Sequence, residues 1–156
     1  MPLTVGDKAP AFTLVDTEKN PHTLGEFLGK KTVIAFFPGA FTGVCTKEMC
    51  TFRDSLADLG KLNAQVVAIS TDSPYANKAF AEQNKLGFTV LSDITREVSK
   101  TYCGLYDRFG GVEGYIAAKR SVFVLDTSGI VRYVWISEMP GAEPNYGDVK
   151  KALASF

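Results

Sequence analysis

A strand predicted at residues 32–37, which is unbroken apolar sequence from residue 33 onward, restricts the fold of this chain more than any other segment. A strand that lacks polar alternation is typical of a parallel sheet, where both faces of the strand are buried. A helical pattern follows at roughly residues 43–59, which Gly60 is expected to end, and residues 65–70 form a second apolar strand. This unit of strand, helix and strand predicts two parallel strands joined by a right-handed crossover.

The remaining segments extend this unit into an α/β order with an antiparallel edge. Serine and proline at residues 73–74 are typical of a helix start, and Asp-Thr-Ser-Gly at residues 126–129 predicts the turn of a hairpin. Further strands are predicted at residues 11–15, 88–91, 121–125 and 130–136, helices at residues 73–84, 95–102 and 146–155, and a surface loop at residues 104–114.

The composition is that of one soluble globular domain spanning residues 1–156, with 46% apolar and 22% charged residues. Its 17 basic and 17 acidic residues cancel, so no bulk charge favours nucleic acid or an anionic membrane as a partner. The sequence begins without an export signal, and its longest apolar run is too short to cross a bilayer, so we expect a cytoplasmic protein. In that reducing compartment, three cysteines are better explained as buried or reactive thiols than as structural disulfides.

Cys45 lies where α/β proteins place their sites, between a parallel strand and the helix that follows it. In the first turn of a helix, free backbone N–H groups and the positive end of the helix dipole favour the thiolate over the thiol. Because the thiolate is the nucleophilic form, this position predicts a reactive cysteine that is ionised at neutral pH.

Two neighbouring residues fit this interpretation. Thr42, near the N-cap, can cap the helix with its hydroxyl, or donate a hydrogen bond to the sulfur and to a substrate oxygen. Pro38 has no N–H group and can shield the thiolate from water. Each residue also has a plain structural explanation, with Thr42 as a cap, Pro38 as the end of a strand and Cys45 as a small buried side chain.

Taken together, Pro38, Thr42 and Cys45 form the pattern Pro-x-x-x-Thr-x-x-Cys, which resembles the active-site signature of the peroxiredoxins. Residues 6–14 resemble the opening of that family, and residues 119–126 resemble the strand that carries its catalytic arginine. The resemblance implies a thioredoxin-like α/β fold, with a central mixed β-sheet flanked by helices and an N-terminal β extension. It also implies an enzyme without a cofactor that reduces hydroperoxides to water or alcohol.

The same resemblance gives a function to four residues. Cys45 would be the peroxidatic cysteine, which attacks the peroxide and becomes a sulfenic acid, and Thr42 would orient the peroxide. Arg120 would stabilise the thiolate and the breaking oxygen–oxygen bond with a planar, permanent charge. Glu48 resembles the glutamate that holds this arginine in place, although a charge on the helix surface explains it equally well.

The segment from Cys45 to Cys50 resembles the bacterioferritin-comigratory or peroxiredoxin Q branch, while residues 38–42 resemble an atypical, type-5-like branch. In the former branch the second cysteine resolves the sulfenic acid, which implies a Cys45–Cys50 disulfide. On an ideal helix these two Cα atoms are about 8–9 Å apart and differ by about 140° in direction, whereas a disulfide needs about 4.4–6.8 Å. The first turns of the helix must therefore unwind before this disulfide forms.

Cys103 has no counterpart in the family that the sequence resembles. We interpret it as a buried thiol. The alternative is that Cys103 resolves the sulfenic acid, within the chain or across a dimer.

The resemblance further implies a homodimer and, as reductant, thioredoxin or a similar dithiol protein. The loop at residues 104–115 is expected to be an ordinary surface loop, and the alternative is that it borders the peroxide pocket or a subunit contact. The alternative function is a redox sensor that uses the same oxidisable Cys45 and need react only once, whereas a peroxidase must cycle. A metal site is disfavoured because the Cys-x-x-x-x-Cys spacing has no second half and His22 is expected in an exposed turn. The Cys-x-x-Cys pair of thioredoxin-type oxidoreductases is absent.

Overall fold

The computed structural model describes residues 1–156 and contains one seven-stranded mixed sheet with helices on both faces. The strands are β1 (Thr13–Val15), β2 (Pro21–Thr23), β3 (Lys31–Phe36), β4 (Ala64–Ser70), β5 (Thr89–Ser92), β6 (Leu105–Tyr106), β7 (Ala117–Ala118), β8 (Ser121–Leu125) and β9 (Val131–Ile136). The helices are α1 (Leu24–Phe27), α2 (Gly43–Lys61), α3 (Pro74–Gln83), α4 (Glu97–Tyr102) and α5 (Tyr146–Ala154). None of these helices combines the length and the apolar character needed to cross a membrane.

The strand order of the large sheet is β2-β1-β5-β4-β3-β8-β9. Strand β3 is parallel to β4, and β4 is parallel to β5, which confirms the parallel unit predicted from the apolar runs. Strand β8 is antiparallel to both β3 and β9, which confirms the hairpin and the antiparallel edge. At the other edge, β1 and β2 form an N-terminal hairpin that joins the sheet through β5.

Two apolar cores lie on opposite faces of the sheet, and β3 contributes to both. Val33 and Ala35 pack into the core with α2, α3 and α5, whereas Ile34 and Phe36 pack into the core with α1 and α4. All four side chains are inaccessible to solvent, which explains why this strand shows no polar alternation. Burial of a large apolar side chain contributes about 1.5–3 kcal/mol, so the central strand is firmly held and fixes the start of the loop that follows it.

Helix α2 is longer than the sequence indicated, and the prediction that Gly60 ends it is wrong. Gly60 lies inside the helix, and the chain turns away only at Asn63, whose φ of 57° is in the left-handed region. Asparagine adopts this conformation more readily than most residues and commonly ends helices in this way. Helix α4 begins at Glu97 rather than at residue 95, because Arg96 has a left-handed φ of 65°.

The segment at residues 104–114 is more ordered than predicted. It contains β6, which pairs with β7, and a 3₁₀ turn at Phe109–Gly111. Tyr106 and Phe109 are buried, so the expectation of a surface loop is wrong for these side chains. Their rings stack with centroids 6.2 Å apart and form a small core of their own with Ala117.

His22 is not an exposed turn residue, as the sequence had suggested. It is half-buried in β2, with Nε2 2.6 Å from Asp16 Oδ2 and Nδ1 2.8 Å from Glu26 Oε2. The hydrogen bond with Asp16 raises the pKa of His22, and the imidazole stacks on Phe27. A strand of three residues is too short to leave a period-two pattern, so the sequence did not indicate β2 or this cluster.

Candidate active site

Cys45 is the third residue of α2 and follows the carboxyl end of β3 after a short loop. Thr42 occupies the N-cap position, so Cys45 lies in the first helical turn, as predicted, among N–H groups that have no helical acceptor. Cys45 is completely buried, and Pro38 and Gly39 in the preceding loop are buried too. The sulfur therefore contacts solvent or a small molecule only when a neighbouring residue moves.

The loop between β3 and α2 is fixed by contacts that the sequence analysis missed. Asp72 Oδ2 accepts hydrogen bonds from the backbone N–H of Ala40 at 2.8 Å and from the hydroxyl of Ser70 at 3.0 Å. Phe41 has a φ of 67°, a strained conformation for a bulky residue, and its ring packs edge-on against Phe80. The position of Asp72 shortly after β4 could have identified it as a residue of this site, because the carboxyl ends of neighbouring parallel strands meet at one edge of the sheet.

Thr42 does not cap α2 with its side chain, so that part of its predicted function is wrong. Its hydroxyl instead donates to the carbonyl oxygen of Gly39 at 2.9 Å and remains beside Cys45. Gly39 is tightly enclosed, because a Cβ at this position would lie 3.2 Å from both Phe109 and Thr42 and 3.4 Å from the hydroxyl of Tyr115. A side chain at position 39 would therefore press on the side chains of Phe109 and Thr42, which would have to shift to admit it.

Arg120 is buried next to this loop, with only 1% of its surface exposed. Its Nη1 donates to Glu48 Oε1 at 2.8 Å, and its Nε and Nη2 donate to the Pro140 carbonyl at 3.0 and 2.9 Å. Three of the roughly five guanidinium N–H bonds are used in this way, which leaves about two for other acceptors. The backbone N–H of Arg120 donates to the Tyr106 hydroxyl, which in turn donates to the carbonyl of Ser137.

Glu48 holds Arg120 from the core side of α2. It is completely buried, so the alternative of a charge on the helix surface is wrong. Burial raises the pKa of Glu48 to about 7, against the opposing effect of the Arg120 charge. Its second carboxyl oxygen, Oε2, is buried without a hydrogen-bond partner, so the ion pair depends on Oε1 alone.

The electrostatics of Cys45 differ from the sequence prediction. Burial raises the pKa of Cys45, and it outweighs the charge of Arg120, the hydroxyl of Thr42 and the backbone of Gly39, which all lower the pKa. In this closed arrangement burial therefore acts against the predicted ionisation of the thiol, while Arg120 and Thr42 favour it. Desolvation penalises the thiolate, and the depth of burial depends on tertiary packing that a helix start does not reveal.

A small pocket of about 200 Å³ opens beside the first turn of α2 and reaches Thr42, Phe109, Arg120 and Pro140. Since a water molecule occupies about 30 Å³ of liquid volume, the pocket has room for a small hydroperoxide. A larger cavity of about 840 Å³ lies at the amino ends of β4 and β5, and no cysteine lines it. Neither pocket has a cysteine in its lining, but the smaller one is lined by Thr42 and Arg120, which lie beside Cys45, so we associate the cysteine chemistry with it.

The other two cysteines occupy different environments, and all three are free thiols. Cys50 is half-buried on α2, where its Sγ donates to Asn84 Oδ1 at 3.5 Å. Cys103 is completely buried in the core on the opposite face of the sheet from Cys45, and burial raises the pKa of Cys103 to about 12. The interpretation of Cys103 as a buried thiol is confirmed, and no group of three or more His, Cys, Asp or Glu side chains is arranged to hold a metal ion.

Comparison with known proteins extends the resemblance to nearly the whole chain. The model of the AhpC/TSA family matches residues 5–134. Chloroplastic peroxiredoxin Q from Sedum lineare is 43% identical over 99% of this chain and 80% of its own length. The crystal structure of peroxidoxin BcpB from Mycobacterium tuberculosis has a TM-score of 0.82 at 32% identity, covering 97% of this chain and 95% of that one.

A second solved structure, a peroxiredoxin-like protein from Aquifex aeolicus, has a TM-score of 0.85 at 31% identity and covers 98% of this chain and 87% of its own. These similarities confirm the thioredoxin-like fold and the resemblance to the bacterioferritin-comigratory and peroxiredoxin Q branch. The site geometry and the matches agree in both fold and family. The chain belongs to the AhpC/TSA family and is a peroxiredoxin.

Proposed function

We propose that Cys45 is the peroxidatic cysteine of this chain and that Cys50 is its resolving partner. As a peroxiredoxin, the chain is a thiol-dependent peroxidase. The observation that supports Cys45 is its position in the first turn of α2, beside Thr42 and a buried guanidinium that retains free N–H bonds. Only Cys45 among the three cysteines has such surroundings.

In the first step the sulfur of Cys45 attacks one peroxide oxygen. A sulfur–oxygen bond forms, the oxygen–oxygen bond breaks, and the leaving oxygen takes the thiol proton and departs as water or an alcohol. The remaining N–H bonds of Arg120, and the hydroxyl of Thr42 once it rotates away from the Gly39 carbonyl, stabilise the charge that moves along the peroxide. Burial raises the pKa of Cys45, and the Arg120 charge opposes this effect, so Arg120 favours the thiolate that attacks the peroxide.

In the second step the thiol of Cys50 attacks the sulfenic sulfur of Cys45. The disulfide bond forms, the sulfur–oxygen bond breaks, and the oxygen leaves as water with the proton of Cys50. A thioredoxin-type dithiol protein then reduces the disulfide by exchange. The opposite core position of Cys103 and its raised pKa argue against its participation.

We expect oxidation to unwind the start of α2. Cys45 and Cys50 both lie within this continuous helix, where their Cα atoms are about 8–9 Å apart, farther than the roughly 4.4–6.8 Å that a disulfide allows. Peroxide treatment should therefore lower the helical circular-dichroism signal and speed amide exchange at residues 43–50, and a reductant should reverse both changes. An unchanged helix in protein that carries this disulfide would show that the prediction is wrong.

The proposal is tested by catalytic cycling and by mapping of the disulfide. With reduced thioredoxin, wild type and Cys103→Ser should consume hydroperoxide continuously, Cys50→Ser should reduce one equivalent and then stall, and Cys45→Ser should be inactive. Trypsin cuts after Lys47, between the two reactive cysteines, so mass spectrometry can detect their disulfide as a linked pair of peptides. A protein that reacts once and never cycles would instead be a redox sensor.

We also propose a homodimer in the cytoplasm. Phe41 and Val112 are 49% and 56% exposed on two loops that border the pocket, and such apolar side chains are common at subunit interfaces. Light scattering on the purified chain would measure the mass directly, and a monomer at every concentration tested would contradict the dimer.

A further inference from the structure

Asn84 follows the last turn of α3 and contacts two successive turns of α2. Its side-chain oxygen Oδ1 accepts a hydrogen bond from Cys50 Sγ at 3.5 Å, and its backbone oxygen accepts one from Arg53 Nη1 at 2.6 Å. We call these two hydrogen bonds the Asn84 contact. They connect the thiol that has to move to a neighbouring helix that does not contain either reactive cysteine.

Asn84 is itself firmly held. Its backbone N–H and its Nδ2 both donate to the carbonyl oxygen of Phe80, at 3.1 and 3.0 Å. The side chain of Phe80 is completely buried and packs against Phe37. The acceptor of the Cys50 thiol is therefore anchored to the core through α3 and not through α2.

Arg53 lies one turn after Cys50, on the same side of α2. Besides the bond to Asn84 it makes an exposed ion pair with Asp54 at 3.0 Å. The hydrogen bond with Asp54 raises the pKa of Arg53, and the proximity of Cys50 raises it further. Arg53 thus belongs to the surroundings of Cys50 and not to those of Cys45.

The same turns of α2 are anchored differently on their core side. There, Cys45, Met49 and Phe52 are buried in the apolar core, and Glu48 pairs with Arg120. Those contacts hold Cys45 and Arg120 in place, and their loss would disturb the first chemical step. The Asn84 contact touches only the attacking thiol and the turn after it, so it can affect the second step alone.

We propose that Asn84, with Arg53, is a positioning residue that keeps Cys50 in the helical form of α2 and thereby sets the rate at which the Cys45–Cys50 disulfide forms. This inference rests on the proposed function of Cys50 as the resolving cysteine. The disulfide can form only after the thiol leaves Asn84 Oδ1, because Cys50 and Cys45 are too far apart in the intact helix.

The rate of this release decides between two fates of the sulfenic acid at Cys45. In one, Cys50 displaces the oxygen as water and the disulfide forms. In the other, a second hydroperoxide reacts with the sulfenic acid, its oxygen–oxygen bond breaks, water or alcohol leaves, and a sulfinic acid remains. A strong Asn84 contact slows the first route and so makes Cys45 more sensitive to excess peroxide.

The test separates the two chemical steps in the full-length protein. One equivalent of hydrogen peroxide is mixed with reduced protein, the reaction is stopped with acid and alkylating reagent, and tryptic peptides are assayed for sulfenic acid and disulfide. Asn84→Ala should form the disulfide about threefold to tenfold faster than wild type, the factor that corresponds to loss of one ordinary hydrogen bond. The sulfenic acid should form at the wild-type rate, and excess peroxide should give less sulfinic acid.

Arg53→Met keeps an unbranched, flexible side chain but removes its donors, and it should also speed disulfide formation. Asp54→Asn is its matched control, because it removes the exposed ion pair of Arg53 without touching Asn84. Asn84→Asp keeps an oxygen for the Cys50 thiol but loses the Nδ2 donor to Phe80, so it should retain a slow disulfide step. If Asn84→Asp were as fast as Asn84→Ala, a loosened end of α3 would explain both, and the proposal would be overturned.

The other outcomes are equally distinct. If Asn84→Ala forms the Cys45–Cys50 disulfide at the wild-type rate, the inference fails and the proposed function stands. If wild type reacts with peroxide but never forms this disulfide, the proposed function of Cys50 fails and the inference fails with it. A slower disulfide step in Arg53→Met would overturn the inference for Arg53, since it would show that the guanidinium activates Cys50.

Discussion

Replacing Arg120 with methionine is expected to slow the reaction of Cys45 with hydroperoxide by a factor of about 10²–10³, the usual loss when a fixed hydrogen-bond donor to developing charge is removed. The guanidinium is buried, and Glu48 and the Pro140 carbonyl fix its orientation. It therefore needs little rearrangement when charge moves along the peroxide. Stopped-flow measurement of the second-order rate constant for peroxide reduction checks this result.

The pH dependence gives a second readout of the same substitution. Burial raises the pKa of Cys45, and the Arg120 charge counteracts it, so removal of this charge moves the pKa further up. Since the reaction rate rises with pH as the thiolate becomes accessible, the profile of Arg120→Met should lie at higher pH than that of wild type. A profile that does not move would contradict an electrostatic function of Arg120.

Two further variants identify the origin of the effect. Arg120→Lys keeps the positive charge but loses the planar arrangement of donors, so its pH profile should stay near that of wild type while its rate remains low. Arg108→Met makes the same kind of change at an exposed arginine and should leave both the rate and the profile unchanged.

The elements that the sequence predicted well are those determined by residues that are adjacent in the sequence. The apolar run of β3 and the loop after it are contiguous, so the place of Thr42 and Cys45 at a helix start followed from the pattern of residues 32–59. The hairpin of β8 and β9 likewise depends on a turn sequence between two strands. The resemblance then added Arg120, which no local periodicity would have selected.

The parts that were missed depend on contacts between distant segments. Asp72 fixes the loop before Cys45 from the end of β4, and Tyr106 bonds to the backbone of Arg120 from the small sheet of β6 and β7. Neither residue has a neighbour in sequence that indicates its partner. The raised pKa of Cys45 has the same origin, because the packing of the whole sheet and of α2 produces its burial.

Replacing Glu48 with alanine is expected to lower the free energy of unfolding by about 3–5 kcal/mol, because removal of the carboxylate leaves the buried guanidinium of Arg120 without its counterion. Glu48 is completely buried, and Arg120 is 1% exposed. The loss of stability would come mainly from the buried guanidinium, which is no longer compensated by a carboxylate, and not from the net contribution of the ion pair to stability. Equilibrium denaturation at neutral pH measures the effect, and Glu82→Ala, at an exposed helical glutamate, is the matched control.

The double variant Glu48→Ala, Arg120→Met separates these two causes. If the unpaired charge causes the loss, removal of Arg120 as well should recover part of the stability that Glu48→Ala loses, as a double-mutant cycle would show. Glu48→Gln should be less destabilised than Glu48→Ala, since an amide oxygen can still accept the bond from Arg120 Nη1. If the double variant were as unstable as the sum of the two single variants, Glu48 and Arg120 would act independently, and the ion pair would not explain the stability of this site.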